Sequence, residues 1–436
     1  MGNTGKSENQ ERFDVIVVGG GLAGASAAYR LARAGVNVLL IERGSYAGAK
    51  NMTGGRLYTH SLEKLIPTFR TSAPLERKVS KEKISILTKS AGTTIEYLSD
   101  STAPEEESYV VLRSKFDRWL VEMAEKAGAM VINNIQVTEL IREGYEIIGV
   151  RCGEDEVYAD VTILADGVNS LLAEQHKLRE PVKAKQVAVS CKEVYTLPKG
   201  VLEERFGLSS SDDGAAWLCL GEMTHGQLGG GFVYTNKNSV SVGIVVGLEH
   251  IGNADVTIEE MMEEFTSHPV IAPLLKDSKL EERSGHVVPE AGLAGVSTLS
   301  GNGYMIVGDA AGFCINLGYT VRGMDFAIST GMMAADAYLE AREVGDYSSA
   351  MLKRYDAQIA DSYVGKDLHL YKHFPEFLDN ERIFKEYPSM VNNVMREVFL
   401  VNGNGATPLV PRLLKQVKTV GISNIIKDAL KGVRSL

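Results

Sequence analysis

The stretch Phe13-Asp14-Val15-Ile16-Val17-Val18-Gly19-Gly20-Gly21-Leu22-Ala23-Gly24 decides the fold. An apolar run enters a glycine turn that opens a helix. Val38-Leu39-Leu40-Ile41 follows as a second strand and ends in Glu42. The spacing predicts a βαβ unit shaped to hold a dinucleotide. Gly19 permits the tight turn, Gly21 lets the backbone approach a pyrophosphate, and Gly24 lets the helix pack close to the sheet. Leu22 and Ala23 begin that helix, whose free N–H groups point at the phosphates. Glu42 is placed to accept hydrogen bonds from a ribose. Ala28 and Gly35 also fall where such a unit needs them.

A second element lies about 290 residues downstream. Tyr304-Met305-Ile306-Val307-Gly308-Asp309-Ala310-Ala311-Gly312 reads as a short buried strand ending in Gly308-Asp309, and a helix starts at Met324-Asp325-Phe326-Ala327. An aspartate at that strand end can bind a sugar-alcohol hydroxyl, while the helix aims its positive end at a nearby ring. A nicotinamide enzyme has no need of this second element, whereas a flavin with its ribityl chain does. The two elements resemble the FAD-binding fingerprints of the glutathione-reductase-like flavoproteins, an α/β fold with FAD as cofactor. Between them, Ile163-Leu164-Ala165-Asp166-Gly167-Val168-Asn169-Ser170 is similar to the Asp-Gly signature of the hydroxylase-type branch, which sets Asp166 at the cofactor.

Composition narrows the function. At 436 residues the chain can bury two cores, and 44% hydrophobic with 23% charged residues is globular usage. A net charge of −10 argues against nucleic acid as the main partner. No apolar run approaches the roughly 20 residues that span a bilayer, and the polar opening residues lack the apolar core of a secretion signal. A cytoplasmic protein, or one held peripherally at the inner face of the cell membrane, is expected. Cys152, Cys191, Cys219 and Cys314 are scattered, so isolated thiols are expected, with no metal site and no iron–sulfur cluster.

The order of patterns predicts a discontinuous FAD-binding domain over 12–70, 108–180 and 286–345. A sheet domain covers 71–107 and 181–285, and a helical C-terminal region covers 346–436. Leu62, Leu65, Ile66 and Phe69 mark a short amphipathic stretch, and Glu105-Glu106-Glu107 a solvated loop. Leu112, Phe116, Leu120 and Met123 give a helix one apolar face, with Arg113 and Asp117 at its start and Gly128 at its end. Val131-Ile132 and Val137 suggest strands. Gly229-Gly230-Gly231-Phe232-Val233-Tyr234 and Val240-Ser241-Val242-Gly243-Ile244-Val245 read as strands of an antiparallel sheet that covers the flavin. From Pro411 onward, Arg412, Lys415, Lys418, Lys427, Lys431 and Arg434 face only Asp428. This end is read first as packed surface helix, and second as a basic amphipathic segment for an anionic membrane or a partner.

Longer segments resemble one family, the FixC-type dehydrogenases, relatives of electron-transfer flavoprotein:quinone oxidoreductase. They are Glu42-Arg43-Gly44-Ser45-Tyr46-Ala47-Gly48-Ala49-Lys50-Asn51-Met52-Thr53-Gly54-Gly55-Arg56-Leu57-Tyr58, then Gly308 through Gly318 to Arg322-Gly323-Met324, and the Gly229–Tyr234 strand. The resemblance implies FAD contacts from Arg43, Asn51, Met52, Thr53, Gly54, Gly318, Gly323 and Met324. It puts Gly229 and Gly230 at a quinone headgroup. A triple glycine also commonly marks a bulge or bend. Asn51 to Gly55 can present backbone N–H groups to the ring edge. Arg113 can contact FAD phosphates or pair with Asp117. Arg322 can stabilise negative charge on a reduced flavin or form a buried ion pair. His60 and His225 lie near these segments without a visible acid partner, so no catalytic residue is assigned.

The resemblance further implies partners. No cysteine follows Cys314, so the iron–sulfur cluster of the larger quinone oxidoreductases would sit in a separate ferredoxin-like subunit. An electron-transfer flavoprotein heterodimer would complete an assembly associated with electron bifurcation, in which this chain reduces a membrane quinone. A flavin monooxygenase using a nicotinamide cofactor and a geranylgeranyl-type reductase share the Asp-Gly signature and are the rival enzymes. A non-catalytic subunit with structural FAD is the rival of another class.

Overall fold

The structure, a computed structural model, describes residues 11–50, 54–100, 103, 106–198, 200–252, 254–405 and 407–436. Arg12–Val18 is buried at five of its seven positions. It pairs in parallel with Val38–Ile41 on one side and Asp155–Leu164 on the other. Met130–Ile132 extends the sheet outward on the first side and Tyr304–Ile306 on the second, again in parallel. The chain thus builds outward, returns to its first strand and builds the other way. The crevice where that direction changes, at the carboxyl ends of Arg12–Val18 and Asp155–Leu164, is where sheets of this kind bind ligands. Gly19, Ala165 and Gly308 follow three neighbouring strand ends there. The expected Val131-Ile132 strand is present. Val137 instead lies in the loop before the Glu139–Glu143 strand.

Two helices cross above this sheet. Leu22–Arg33 buries Ala23, Ala25, Ala27 and Ala28, and Met324–Val344 buries Ala334, Ala335 and Ala337. Small side chains let the axes approach, and at the crossing even alanine is too large. A Cβ on Gly331 would overlap the carbonyl oxygen of Ala23.

The second sheet has nine strands. Its order is Lys279–Pro289, Val187–Thr196, Ser239–Gly247, Gly229–Thr235, Asp213–Gly221, Leu75–Leu87, Ser108–Leu112 and Gly54–Tyr58, with Gly92–Leu98 attached to Leu75–Leu87. It is antiparallel except where Asp213–Gly221 runs parallel to Leu75–Leu87. Gly54–Tyr58 and Ser108–Leu112, in spans read as part of the nucleotide unit, hydrogen-bond into this larger sheet. One face packs on the helix Ile258–Ser267 through Met261, Met262 and Phe265. Thr257 and Glu260 start that helix with a reciprocal capping box. Phe265 fills the space left by Gly231, where a Cβ would come within 2.5 Å of its ring. The other face turns toward the parallel sheet, and a cavity lies between them.

The C-terminal region is helical, as expected, but its end is not packed in the expected way. No residue of the Leu409–Val417 helix is buried, and Ile422–Ser435 buries only Asp428, Gly432 and Ser435. Leu414, Ile426, Leu430 and Val433 are exposed, the last at 73%. Among the described residues, no helix is long and apolar enough to cross a membrane.

Candidate functional site

The glycine turn is held by contacts that only glycine allows. Gly19 has φ +106° and a Cβ there would overlap the Ala165 carbonyl oxygen; a Cβ on Gly24 would overlap the carbonyl oxygen of Gly19 itself. Gly21 differs, since nothing lies within 4 Å of its missing side chain. It faces open space at the helix N-terminus, where no side chain caps the first N–H groups. Glu42 accepts from Gly20 N at 2.7 Å and from Gly44 N at 2.5 Å, so it ties the turn to the loop after the second strand. Each oxygen keeps a lone pair for a ribose hydroxyl.

The second element is welded to the first. Gly308 has φ +59°, and a Cβ there would stand 2.8 Å from the Ala23 Cβ. Gly308 donates its N–H to Thr330 Oγ1 at 3.1 Å. It therefore holds the two fingerprints together and does not line the cavity, whereas Asp309 does. Burial raises the Asp309 carboxyl above its ordinary range, against the pull of Arg113 and Lys192. Gly323 starts the Met324–Val344 helix without a side-chain cap, so its N-terminal amides open toward the same space.

A cavity of about 650 Å³ joins these parts. Of the residues singled out in the sequence, Gly19, Gly21, Leu22, Ala23, Glu42, Arg43, Gly54, Arg113, Asp166, Asp309, Gly318, Gly323 and Met324 line it, with Gly229 and Gly230 opposite. Asn51, Met52 and Thr53 lie outside the described residues. Arg113 pairs with Asp117 at 2.7 Å, and the pair is buried, not a surface one; Arg113 also borders the cavity. Among the described residues, Asp166 Oδ1 is buried without a hydrogen-bond partner, and burial pushes the Asp166 carboxyl up to about 6. Gly229 and Gly230 face the cavity for a reason of strand pairing as well. A Cβ would overlap the Val245 carbonyl oxygen at the first and come within 2.7 Å of the Cys219 oxygen at the second.

Comparison with known proteins agrees with this geometry. A family model for an FAD binding domain matches residues 12–202, and one for the ETF-QO/FixC family C-terminal domain matches residues 374–436. Protein FixC of Escherichia coli strain K12 is 47% identical over 429 residues, covering 98% of this chain and 100% of that protein. The chain belongs to the FixC-type family. A probable electron transfer flavoprotein-quinone oxidoreductase, YdiS of the same strain, is 45% identical over the same length, 98% of this chain and 100% of YdiS. Among solved structures, a geranylgeranyl bacteriochlorophyll reductase-like protein from Thermoplasma acidophilum shares the fold. It has a TM-score of 0.73 at 22% identity, over 97% of this chain and 100% of that one. The halogenase PltM in complex with phloroglucinol and FAD matches with a TM-score of 0.64 at 17% identity, over 96% of this chain and 86% of that one.

This FixC-type chain is therefore an FAD-binding oxidoreductase. The capless helix ends, the open face of Gly21 and the unpartnered oxygen of Asp166 fit a bound dinucleotide. When bound, FAD supplies a two-electron carrier, and the protein supplies position, charge and access.

Other expected residues fall elsewhere. Arg322 borders a second cavity of about 440 Å³, with Tyr58, His60, Glu82 and Thr320. It is an ion-pair residue, bonded to Asp325 at 2.5 Å and Asp367 at 2.6 Å. His60 Nε2 stands 3.5 Å from Asp325 Oδ2, and His225 Nε2 stands 2.7 Å from Glu264. His225 thus has an acid partner and His60 stands near one without bonding it, both too distant in sequence to be visible there. Glu107 is not a freely solvated loop residue: it takes Arg70 at 2.6 Å and the Tyr109 hydroxyl at 3.0 Å.

Sequence reasoning missed the opposite wall. Lys192, His286, Glu290 and Asn316 all line the first cavity. Alternation along Val187–Thr196 and Lys279–Pro289 could have marked Lys192 and His286 as facing one way. No short motif joins them. Leu378, Ile383 and Phe384 of the C-terminal region form an apolar lip.

Proposed function

We propose that this chain passes electrons from an electron-transfer flavoprotein heterodimer, through a separate ferredoxin-like iron–sulfur subunit, to a membrane quinone. It serves the quinone-reducing branch of a bifurcating assembly. The observation that carries this reading is the apolar lip of the cavity. Leu378, Ile383 and Phe384 belong to the region that also presents the exposed, lysine-rich helix pair. Arg382 and Asp428, 2.7 and 2.6 Å apart at two bonds, fasten the last helix beside that lip, and Lys431 Nζ donates to the Glu376 carbonyl at 2.7 Å. A lipophilic acceptor is taken up next to a surface suited to anionic lipid, where exposed Leu and Ile enter the headgroup boundary and lysines meet phosphates. Gly229 and Gly230 present bare backbone to the cavity, against which a flat headgroup can lie, and the remaining FAD contacts follow the cavity lining. The full-length likeness to FixC supports the same reading.

Anaerobic stopped-flow absorbance of the FAD-loaded protein tests it. NADH alone should leave the flavin spectrum unchanged. Reduced electron-transfer flavoprotein with the iron–sulfur subunit should bleach it, and a soluble quinone should restore it. Fast bleaching by NADH alone would support the rival reductase or monooxygenase. Cosedimentation with anionic vesicles, lost in high salt, tests the membrane surface separately.

A further inference from the structure

The sheet wall of the cavity carries a cation that, among the described residues, has no direct ion-pair partner. Lys192 and His286 stand on adjacent strands; Ser190 pairs with His286 and Lys192 with Ser284, so both side chains point off the same face. That face is the cavity face, which Lys192, His286, Val288 and Glu290 all line. On the next strands, Gly243 pairs with Lys192 and Phe232 with Gly243, and Gly230 lies one row away beside Val245. Lys192 Nζ stands 5.8 Å from the Phe232 ring. Among the described residues it makes no hydrogen bond and no ion pair. Asp309 acts on it only at longer range, and a largely desolvated ammonium without a carboxylate in direct contact is costly unless something negative is to be bound or formed there.

We propose that Lys192 is a catalytic residue, holding the negative charge that builds on a bound quinone oxygen and giving that oxygen its proton. This rests on the quinone reading above. The acceptor would take two electrons and one proton from the reduced cofactor, whose electrons come from the electron-transfer flavoprotein through the iron–sulfur subunit. The second proton leaves Nζ as its N–H bond breaks and a quinone O–H bond forms. The neutral amine is recharged from water entering past His286 and Glu290. Burial lowers the Lys192 ammonium to about 8, helped by Arg113 and opposed by Asp309, so it is charged at neutral pH and still a competent acid. His286 is pushed down to about 4 by burial, Lys192 and Arg113, so it stays neutral and can pass a proton along. The groups facing Lys192 are His286 from the Lys279–Pro289 strand, Arg113 from the Arg113–Lys126 helix and Asp309 from the loop after Tyr304–Ile306.

Two readouts test this. In the oxidised, FAD-loaded protein, flavin absorbance reports binding of a hydroxynaphthoquinone, ionised at neutral pH, and of neutral menadione. Lys192→Met should weaken the anion at least about tenfold and leave menadione unchanged. Reoxidation of the reduced wild type by menadione should slow as pH rises past about 8. In Lys192→Met it should be slower by on the order of a hundredfold and lack that alkaline limb. Lys192→Arg should keep the anion affinity and also lose the limb, which carries the test if the methionine variant does not fold. Equal anion affinity, an unchanged pH profile or loss of FAD from the variants would overturn the assignment. If quinone fails to reoxidise the wild type, the functional reading falls first and this one falls with it. A competent wild type with an indifferent variant removes this one alone.

Discussion

The two walls of the cavity are built on opposite plans. The nucleotide wall is backbone: Gly19, Gly24 and Gly308 sit where a Cβ would strike a neighbouring main-chain oxygen or Ala23, and the chemistry comes from N–H groups and strand-end carboxylates. The sheet wall, apart from the Gly229–Gly231 run, is side chain: Lys192, Phe232, Tyr234 and His286, carried by three strands, with space between them. A backbone site fixes its residue types through steric exclusion. A side chain that projects from a sheet tolerates exchange more readily, so Lys192, Phe232, Tyr234 and His286 are where the acceptor can be changed without disturbing the cofactor.

Substitutions should separate the walls. The largest effect is expected at Gly24→Val, whose branched side chain would overlap the Gly19 carbonyl; it should cost about 3 kcal/mol and abolish FAD retention, read by urea unfolding and bound-flavin absorbance. If Gly24→Val kept its FAD, the steric account of the nucleotide wall would be wrong. Next comes Glu290, whose carboxyl burial pushes up to about 7. Its stabilising contribution is therefore full below the ordinary carboxylate range and is lost as pH rises through about 7. Glu290→Gln should flatten that decline, leaving the variant about 2 kcal/mol more stable than wild type at pH 8 and indistinguishable at pH 4. Urea unfolding at fixed FAD across that range decides it.

A subtler contrast lies within the turn. Gly21 meets nothing within 4 Å, so Gly21→Ala should leave unfolding of the FAD-free protein within about 0.5 kcal/mol while weakening FAD by on the order of tenfold. Equal loss in both would mean that Gly21 serves the fold and not the ligand. The smallest effect is expected away from both walls. The Arg118–Glu122 pair, one helical turn apart at 3.1 Å and exposed, should change stability by no more than about 0.5 kcal/mol on Arg118→Ala.

How far the sequence could be read follows the same division. Gly19, Gly21, Gly24, Glu42 and the Gly308-Asp309 strand end were legible because each answers a local backbone demand. Their contact across about 290 residues was legible only through the FAD that both would touch. Lys192 and His286 were not, since a lysine within an alternating strand reads as solvent-facing until the layer above it is known. Chain order put Gly54–Tyr58 and Ser108–Leu112 within the spans 12–70 and 108–180 of the nucleotide unit; in the structure the two pair with each other, and Ser108–Leu112 pairs with Leu75–Leu87, which joins both to the larger sheet. The tail showed the reverse error. Its amphipathic pattern was clear, but periodicity alone does not say whether the apolar face meets protein, as Leu414 and Ile426 do not.

The crossing of Gly331 over Ala23 also sets a timetable for synthesis. The first fingerprint emerges from the ribosome early and its helix can meet the Arg113–Lys126 helix, yet the helix that covers its alanine face is not made until the chain has passed Gly331. Contacts so distant in sequence close slowly. For most of translation the Arg12–Val18 strand and its alanine-faced helix are an unfinished, aggregation-prone half. Nascent chains stalled before Gly331 should emerge without FAD, and those released after it should acquire the flavin spectrum.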